Sequence, residues 1–338
     1  MRAAILAHGM FPGGAKTATG ILRYGDQEIV AVLDRDQPGT RVSEFDLRGT
    51  QDAPVVESMD EVPECDALLI GIAPIGGGFD ESWRSDIRTA IERGCDVYSG
   101  LHYYLQDDEE FAELADEYGV ELRDVRKAPE DLTVSEGIAR EVDATVLLTA
   151  GTDASIGKLT TTMELVEAAE EAGIDAAAVP TGQTGIMIEG WGIAIDHVIS
   201  DFMAGAVERM VLEAAEDNDL VVVEGQGGIV HPAYSGVTCG LLHGAMPDGL
   251  VLVHDPTRER VHGYDQFPLA SPPTIADVYE TLAAPVHETE VLAGTINTSM
   301  IDEEDEARQV VEEYGAEIDA PATDPVRFGA EEIVEAVR

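Results

Sequence analysis

Short apolar runs bounded by glycine or charged residues recur along this chain and alternate with stretches in which apolar positions return every three or four residues. The runs at 3–7, 29–33, 67–73 and 97–99 predict strands. The helical spacing at 81–93 and 107–118 predicts amphipathic helices, stopped by Gly94 and Gly119. The alternation resumes with a run starting at Thr145 and others at 176–179, 220–224, 250–254 and 291–296. These later runs are apolar almost throughout, the pattern of parallel strands covered on both faces. The result is an α/β protein with two parallel sheets. A doubly wound, Rossmann-like domain is predicted over 1–130 and a second domain over 140–338, with the polar segment 126–143, which contains Pro129, between them. Ligand groups in such sheets gather at the carboxyl ends of the strands.

The first turn of the first domain lacks the GxGxxG fingerprint. His8-Gly9 and then Gly13-Gly14-Ala15-Lys16-Thr17 follow the strand, which argues against a nicotinamide dinucleotide. The second domain opens on a stronger motif. Its first strand breaks into Gly151-Thr152-Asp153-Ala154-Ser155-Ile156-Gly157-Lys158, and a helix starts near Leu159 and Thr160. Such a turn aims backbone N–H groups and a helix N-terminus at one anion, with the lysine ammonium closing over it. Residues 151–160 are therefore the predicted phosphate loop of a P-loop NTPase-like domain. The spacing departs from GxxxxGK[ST]: Thr152 replaces the first glycine, and Leu159 stands where a metal-binding hydroxyl belongs, leaving Thr160 as the nearest substitute. This loop resembles that of dethiobiotin synthetase and its relatives.

Composition narrows the field of partners. The chain has 67 acidic against 20 basic residues, a net charge of −47, which excludes a nucleic-acid or anionic-membrane surface as the default role. The acids are spread over predicted helix faces and 44% of residues are hydrophobic, a pattern that predicts a folded protein with a surface adapted to high salt. No apolar run of transmembrane length or signal-peptide pattern is present, so a soluble, cytoplasmic protein is expected. Only Lys16, Lys127 and Lys158 are lysines, and two of these lie in glycine-rich turns, where a compact ammonium does what a guanidinium fork does not. Cys65, Cys95 and Cys239 form no CxxC pair and predict neither disulfides nor a metal site.

Further candidates sit where strands end. Glu224 closes the run LVVVEGQGG, as an acid able to hold a magnesium-bound water or to act as a base, and His231 follows in HPAYSG as a second acid/base candidate. Asp153 is either a brace of the loop or a third catalytic acid. Gln183, in Thr181-Gly182-Gln183-Thr184-Gly185, offers an amide to a substrate carboxylate, and Lys16, Arg84 and Arg327 offer positive charge to an acidic substrate. Asp201 reads as a helix cap and His197 as a further site candidate.

The ordered set GGAKTATGILRY, GIAPIGGG, SGLHYYL, GTDASIGKLTT, VEGQGGIVHPAYSGVT, LLHGAMPD and NTS followed by DPVRFG resembles the D-glutamate N-acetyltransferase family across both domains. The resemblance implies acetyl transfer from acetyl-CoA to the amine of D-glutamate. The phosphate loop would anchor the CoA phosphates without hydrolysis, Glu224 or His231 would be the base, and N–H groups of residues 225–228 would face the oxyanion. The likeness to dethiobiotin synthetase keeps an alternative open: an ATP-dependent ligase or kinase of a small carboxylate, with magnesium on Thr160 and Glu224. The acetyl-transfer reading requires no metal, and in the alternative magnesium arrives with ATP. Both expect a small-molecule substrate and leave a homo-oligomer open.

Overall fold

The computed structural model describes residues 1–74 and 77–337. Ile75 and Gly76 of the GIAPIGGG motif, and Arg338, lie outside the described residues. Two compact units form: Met1–Ala128 together with Gln183–Ala194, and Pro129–Gly182 together with Ile195–Arg338.

The first unit contains β1 (Arg2–Leu6), β2 (Glu28–Leu33), β3 (Val55–Val56), β4 (Ala67–Ile70), β5 (Asp96–Ser99) and β6 (Leu122–Asp124), all parallel in the order β3-β2-β1-β4-β5-β6. This is the doubly wound Rossmann order, with its switch point between β1 and β4. Its helices are α1 (Lys16–Tyr24), α2 (Arg84–Glu92) and α3 (Glu109–Tyr118). The Asp108 carboxylate accepts from the N–H groups of Glu110 and Phe111 to start α3, and Gly119 at φ 69° ends it. The helix expected over 81–93 is shorter, because a 3-10 turn at Glu81–Trp83 precedes it. Cys65 and Cys95 precede the neighbouring strands β4 and β5, so their thiols meet at Sγ···Sγ 3.5 Å despite their separation in sequence.

The second unit contains β7 (Thr145–Gly151), β8 (Ala176–Val179), β9 (Leu220–Val223), β10 (Gly249–His254), β11 (Glu290–Ile296) and β12 (Ala322–Thr323), parallel in the order β12-β11-β10-β7-β9-β8. In chain order its helices are α4 (Lys158–Glu171), α6 (Met203–Ala214), α7 (Ser235–Ala245), α8 (Pro272–Ala283), α9 (Glu304–Ile318), α10 (Pro325–Phe328) and α11 (Glu331–Ala336). Leu147, Leu165, Val222, Val251 and Ile333 fill part of the core between sheet and helices. The intervening α5 (Gln183–Glu189) follows β8 in sequence yet belongs to the first unit, although the sequence alone puts it in the second domain. There the Thr17 and Thr184 hydroxyls meet at 2.8 Å, and a Cβ on Gly20 would lie 2.8 Å from the Thr184 methyl, so α5 rests directly on α1. Asp201 caps nothing: it lies in the 3-10 turn Ser200–Phe202, and α6 begins at Met203 without a side-chain cap. No helix among the described residues is long and apolar enough to cross a membrane.

Candidate functional site

Central strand β7 delivers the phosphate loop at the carboxyl edge of the second sheet. Gly157, at φ 108°, turns the chain into α4, whose first residue is Lys158. The Lys158 ammonium folds back over the loop and donates to the carbonyl oxygens of Asp153 and Gly227, each at 2.7 Å. That fold demands glycine at 151, where a Cβ would sit 2.6 Å from Nζ and 2.9 Å from the Asp153 oxygen. Thr152 donates its N–H to the Val253 oxygen, and its hydroxyl lies 2.9 Å from Nδ1 of His254. Burial pushes the His254 imidazole down to about 4 against the pull of Asp255, so it is neutral at physiological pH. Tyr279, fully buried on α8, donates to the Gly151 oxygen at 2.9 Å. Ala154, Ile156 and Leu159 are buried apolar anchors of the loop, Ser155 is exposed at φ 56°, and Thr160 is half-buried.

Asp153 faces inward. Its Oδ1 accepts from the Ala154 N–H at 2.8 Å and its Oδ2 from the His262 N–H at 2.7 Å, while the Arg258 guanidinium lies 3.8 Å away. It therefore braces the loop, leaving Glu224 and His231 as the acid/base candidates. Glu224 follows β9 and is buried, with Oε2 accepting from the N–H groups of Thr181 and Gly182, each at 3.1 Å. The adjacent turn packs so closely that a Cβ on Gly225 would lie 1.9 Å from the Thr149 oxygen. The Gly225 N–H donates to the Thr149 hydroxyl at 3.0 Å, which removes it from the donors expected to face an oxyanion. His231 has both ring nitrogens engaged: Nδ1 accepts from the Ala233 N–H at 3.1 Å, and Nε2 donates to the His262 oxygen at 3.0 Å. This geometry ties two loops together and suits a brace more than a base.

Family models described as a DUF1611_C P-loop domain and a DUF1611_N Rossmann-like domain, both domains of unknown function, match residues 133–334 and 35–128. The chain belongs to the DUF1611 family. A DUF1611 family protein from Anabaena variabilis has a crystal structure similar to this one, with a TM-score of 0.94, 36% identity and coverage of 99% of this chain and 98% of that one. Proteins named D-glutamate N-acetyltransferase are similar in sequence. The one from Tritonibacter scottomollicae is 37% identical over 272 residues, 80% of each chain. The one from Pseudoalteromonas sp is 36% identical over 268 residues, 79% of this chain and 80% of its own.

The cations expected to meet an acidic substrate fare differently in this DUF1611 protein. Arg84 is enclosed: it pairs with Asp108 at 2.5 Å, Glu81 at 2.7 Å and Glu110 at 2.9 Å and stacks over Phe79 and Phe111. Burial works against the Asp108 charge, but the bonds from Arg84 and Tyr103 outweigh it and hold the carboxyl down to about 2. A depressed carboxyl stabilises the fold above the ordinary range near 4 and loses that effect as pH falls through about 2. The melting-temperature gap between wild type and Asp108→Asn should accordingly be full at pH 5 and close toward pH 2; a gap independent of pH would refute the assignment. Arg327 donates to the carbonyl oxygens of Ile301 at 2.6 Å and Asp302 at 3.1 Å, so it pins the loop after β11 and offers little to a substrate. Lys16 is exposed at the start of α1, and its side chain makes no hydrogen bond or ion pair among the described residues. Gln183 is half-buried at the start of α5, and its side chain lies against Gly100 within the first unit. His197 lies in the short 3-10 turn Ile195–His197.

Sequence reasoning missed three features. In the first unit the Asp34 carboxylate, just after β2, accepts from the N–H groups of Gly9, Phe11 and Asp36 and so ties the turn after β1 to the end of β2. Beside it, His8 Nε2 meets Asp86 Oδ2 at 3.1 Å, and Arg35 and the Met59 N–H complete that carboxylate at 2.8 Å each. In the second unit Arg258 and His262 converge on Asp153; two arginines and a histidine within residues 258–262 of so acidic a chain were the available signal. Among the described residues no group of three or more His, Cys, Asp or Glu side chains is placed to hold a metal ion.

Proposed function

We propose that this protein transfers the acetyl group of acetyl-CoA to the amine of D-glutamate, with the CoA phosphates on the loop 151–160. The observation carrying this reading is a phosphate cradle with Lys158 over it and Leu159 in place of the metal-binding hydroxyl, in a chain 36–37% identical to proteins named D-glutamate N-acetyltransferase. The cradle fits a pyrophosphate, because the start of α4, the glycines and the ammonium supply donors and positive charge. Acetyl-CoA supplies the activated thioester. The protein anchors it, removes a proton from the substrate ammonium and stabilises the developing oxyanion. Glu224 is the base in this proposal. Asp153 and His231 support the loop.

The decisive experiment incubates purified protein with acetyl-CoA or ATP and a panel of D- and L-amino acids, at low and at molar salt, and measures free thiol and phosphate. Thiol release with D-glutamate in the presence of EDTA, without phosphate, is expected. Strict magnesium dependence with phosphate release would replace this reading with the ATP-dependent one. Lys158→Ala should weaken cofactor binding by about 1.5–3 kcal/mol, roughly 10–150-fold in Kd, with the fold retained. An unchanged Kd in calorimetry would remove the lysine from the phosphate site.

A further inference from the structure

We propose that Arg258 and His262, on the loop after β10, form a second oxyanion site beside the phosphate loop, taking a phosphate or carboxylate group of a bound substrate. The proposal rests on the acetyl-transfer reading. Arg258 Nη1 donates to His262 Nδ1 at 2.8 Å. That bond leaves the imidazole proton on Nε2, at an exposed position. The two carboxylates near the guanidinium, Asp153 and Asp255, stand at 3.8 Å, close enough to attract it and beyond hydrogen-bonding distance. Among the described residues the bond to His262 is the only hydrogen bond the guanidinium makes, so most of its five donors are held in place and unused.

The position of this group matters. Asp153 is 1% exposed and ionisable within a loop built to hold anions, and a bound phosphate would be repelled by it. Arg258 offsets that charge from outside the loop while its free donors remain available to a ligand, and the fork geometry suits a phosphate or carboxylate. The His262 main-chain N–H to Asp153 fixes the loop that carries both the guanidinium and the imidazole. Two substrate groups have the required chemistry: the 3′-phosphate of CoA and the side-chain carboxylate of the acceptor.

Steady-state kinetics of wild type, Arg258→Ala and His262→Ala would compare acetyl-CoA with acetyl-dephospho-CoA and D-glutamate with D-glutamine. Arg258→Ala should raise KM about 10–100-fold for one partner only. If the 3′-phosphate is bound, the penalty appears with acetyl-CoA and vanishes with the dephospho form. If the acceptor carboxylate is bound, it appears with D-glutamate and vanishes with D-glutamine. His262→Ala, which keeps the main-chain bond to Asp153, should show the same selectivity with a smaller effect. A KM change equal across all four compounds, or none, would reduce Arg258 to a brace and overturn the proposal. Should wild type transfer no acetyl group, the functional reading fails separately, and pyrophosphate and D-glutamate titrated in turn into wild type and Arg258→Ala decide the site: an equal Kd for both overturns it, a weaker one in the variant for either supports it.

Discussion

Glu224→Gln should lower kcat roughly 10²–10⁴-fold, the usual span of a general-base contribution, while the Kd for acetyl-CoA changes little. Hydrogen bonds hold the residue in place: its N–H donates to Val179, its carbonyl oxygen accepts from the Thr181 hydroxyl at 2.6 Å, and its Oε2 takes the Thr181 and Gly182 N–H groups. A glutamine keeps the length and one acceptor oxygen, so the turn after β8 should survive, and circular dichroism will show whether it does. What the glutamine removes is the capacity to take a proton. Weakened cofactor binding with an unchanged rate at saturation would instead make Glu224 a tie between the turns after β8 and β9. The base would then lie outside the residues assigned here, because His231 already uses both nitrogens on main-chain groups.

The second large effect concerns stability. Asp86→Ala removes the acceptor shared by His8, Arg35 and the Met59 N–H. Burial works against the Asp86 charge, yet the bonds from His8, Met59 and Arg35 outweigh it and hold the carboxyl below its ordinary range. His8 is already buried with Nδ1 unpartnered, so the substitution leaves its other nitrogen without a partner as well. Buried donors left unpaired cost about 1–3 kcal/mol each, and Arg35, one-third exposed, recovers part of its loss from water; the net is about 3–5 kcal/mol. Both tryptophans, Trp83 and Trp191, lie in the first unit, so their fluorescence reports its melting. A fall of roughly 6–20 °C in that transition is expected, and a fall below about 2 °C would show the cluster to be peripheral.

The sheets and the phosphate loop were legible because apolar runs, glycines and one lysine are local signals. The roles of individual side chains were less so. Arg84 and Arg327 read as free cations until the fold brings Asp108 to one and the Ile301 and Asp302 carbonyls to the other. His231 reads as an acid/base until Ala233 and His262 occupy its nitrogens. Arg258 went unremarked because its meaning depends on Asp153, more than a hundred residues earlier. In each case the deciding partner is distant in sequence, and the residue type alone fits several environments.

The placement of α5 has a consequence for how the chain is made. When synthesis has delivered residue 128, the face of α1 bearing Thr17 and Gly20 still lacks its cover, which arrives only with residues 183–194, after β7, α4 and β8 have emerged. Vectorial folding of the first unit therefore waits on a segment embedded in the coding order of the second, and the ends of that segment must close a long loop. A chain cut near residue 130 would expose that α1 face and should be prone to aggregate, whereas a version with α5 appended through a short linker would restore the missing surface.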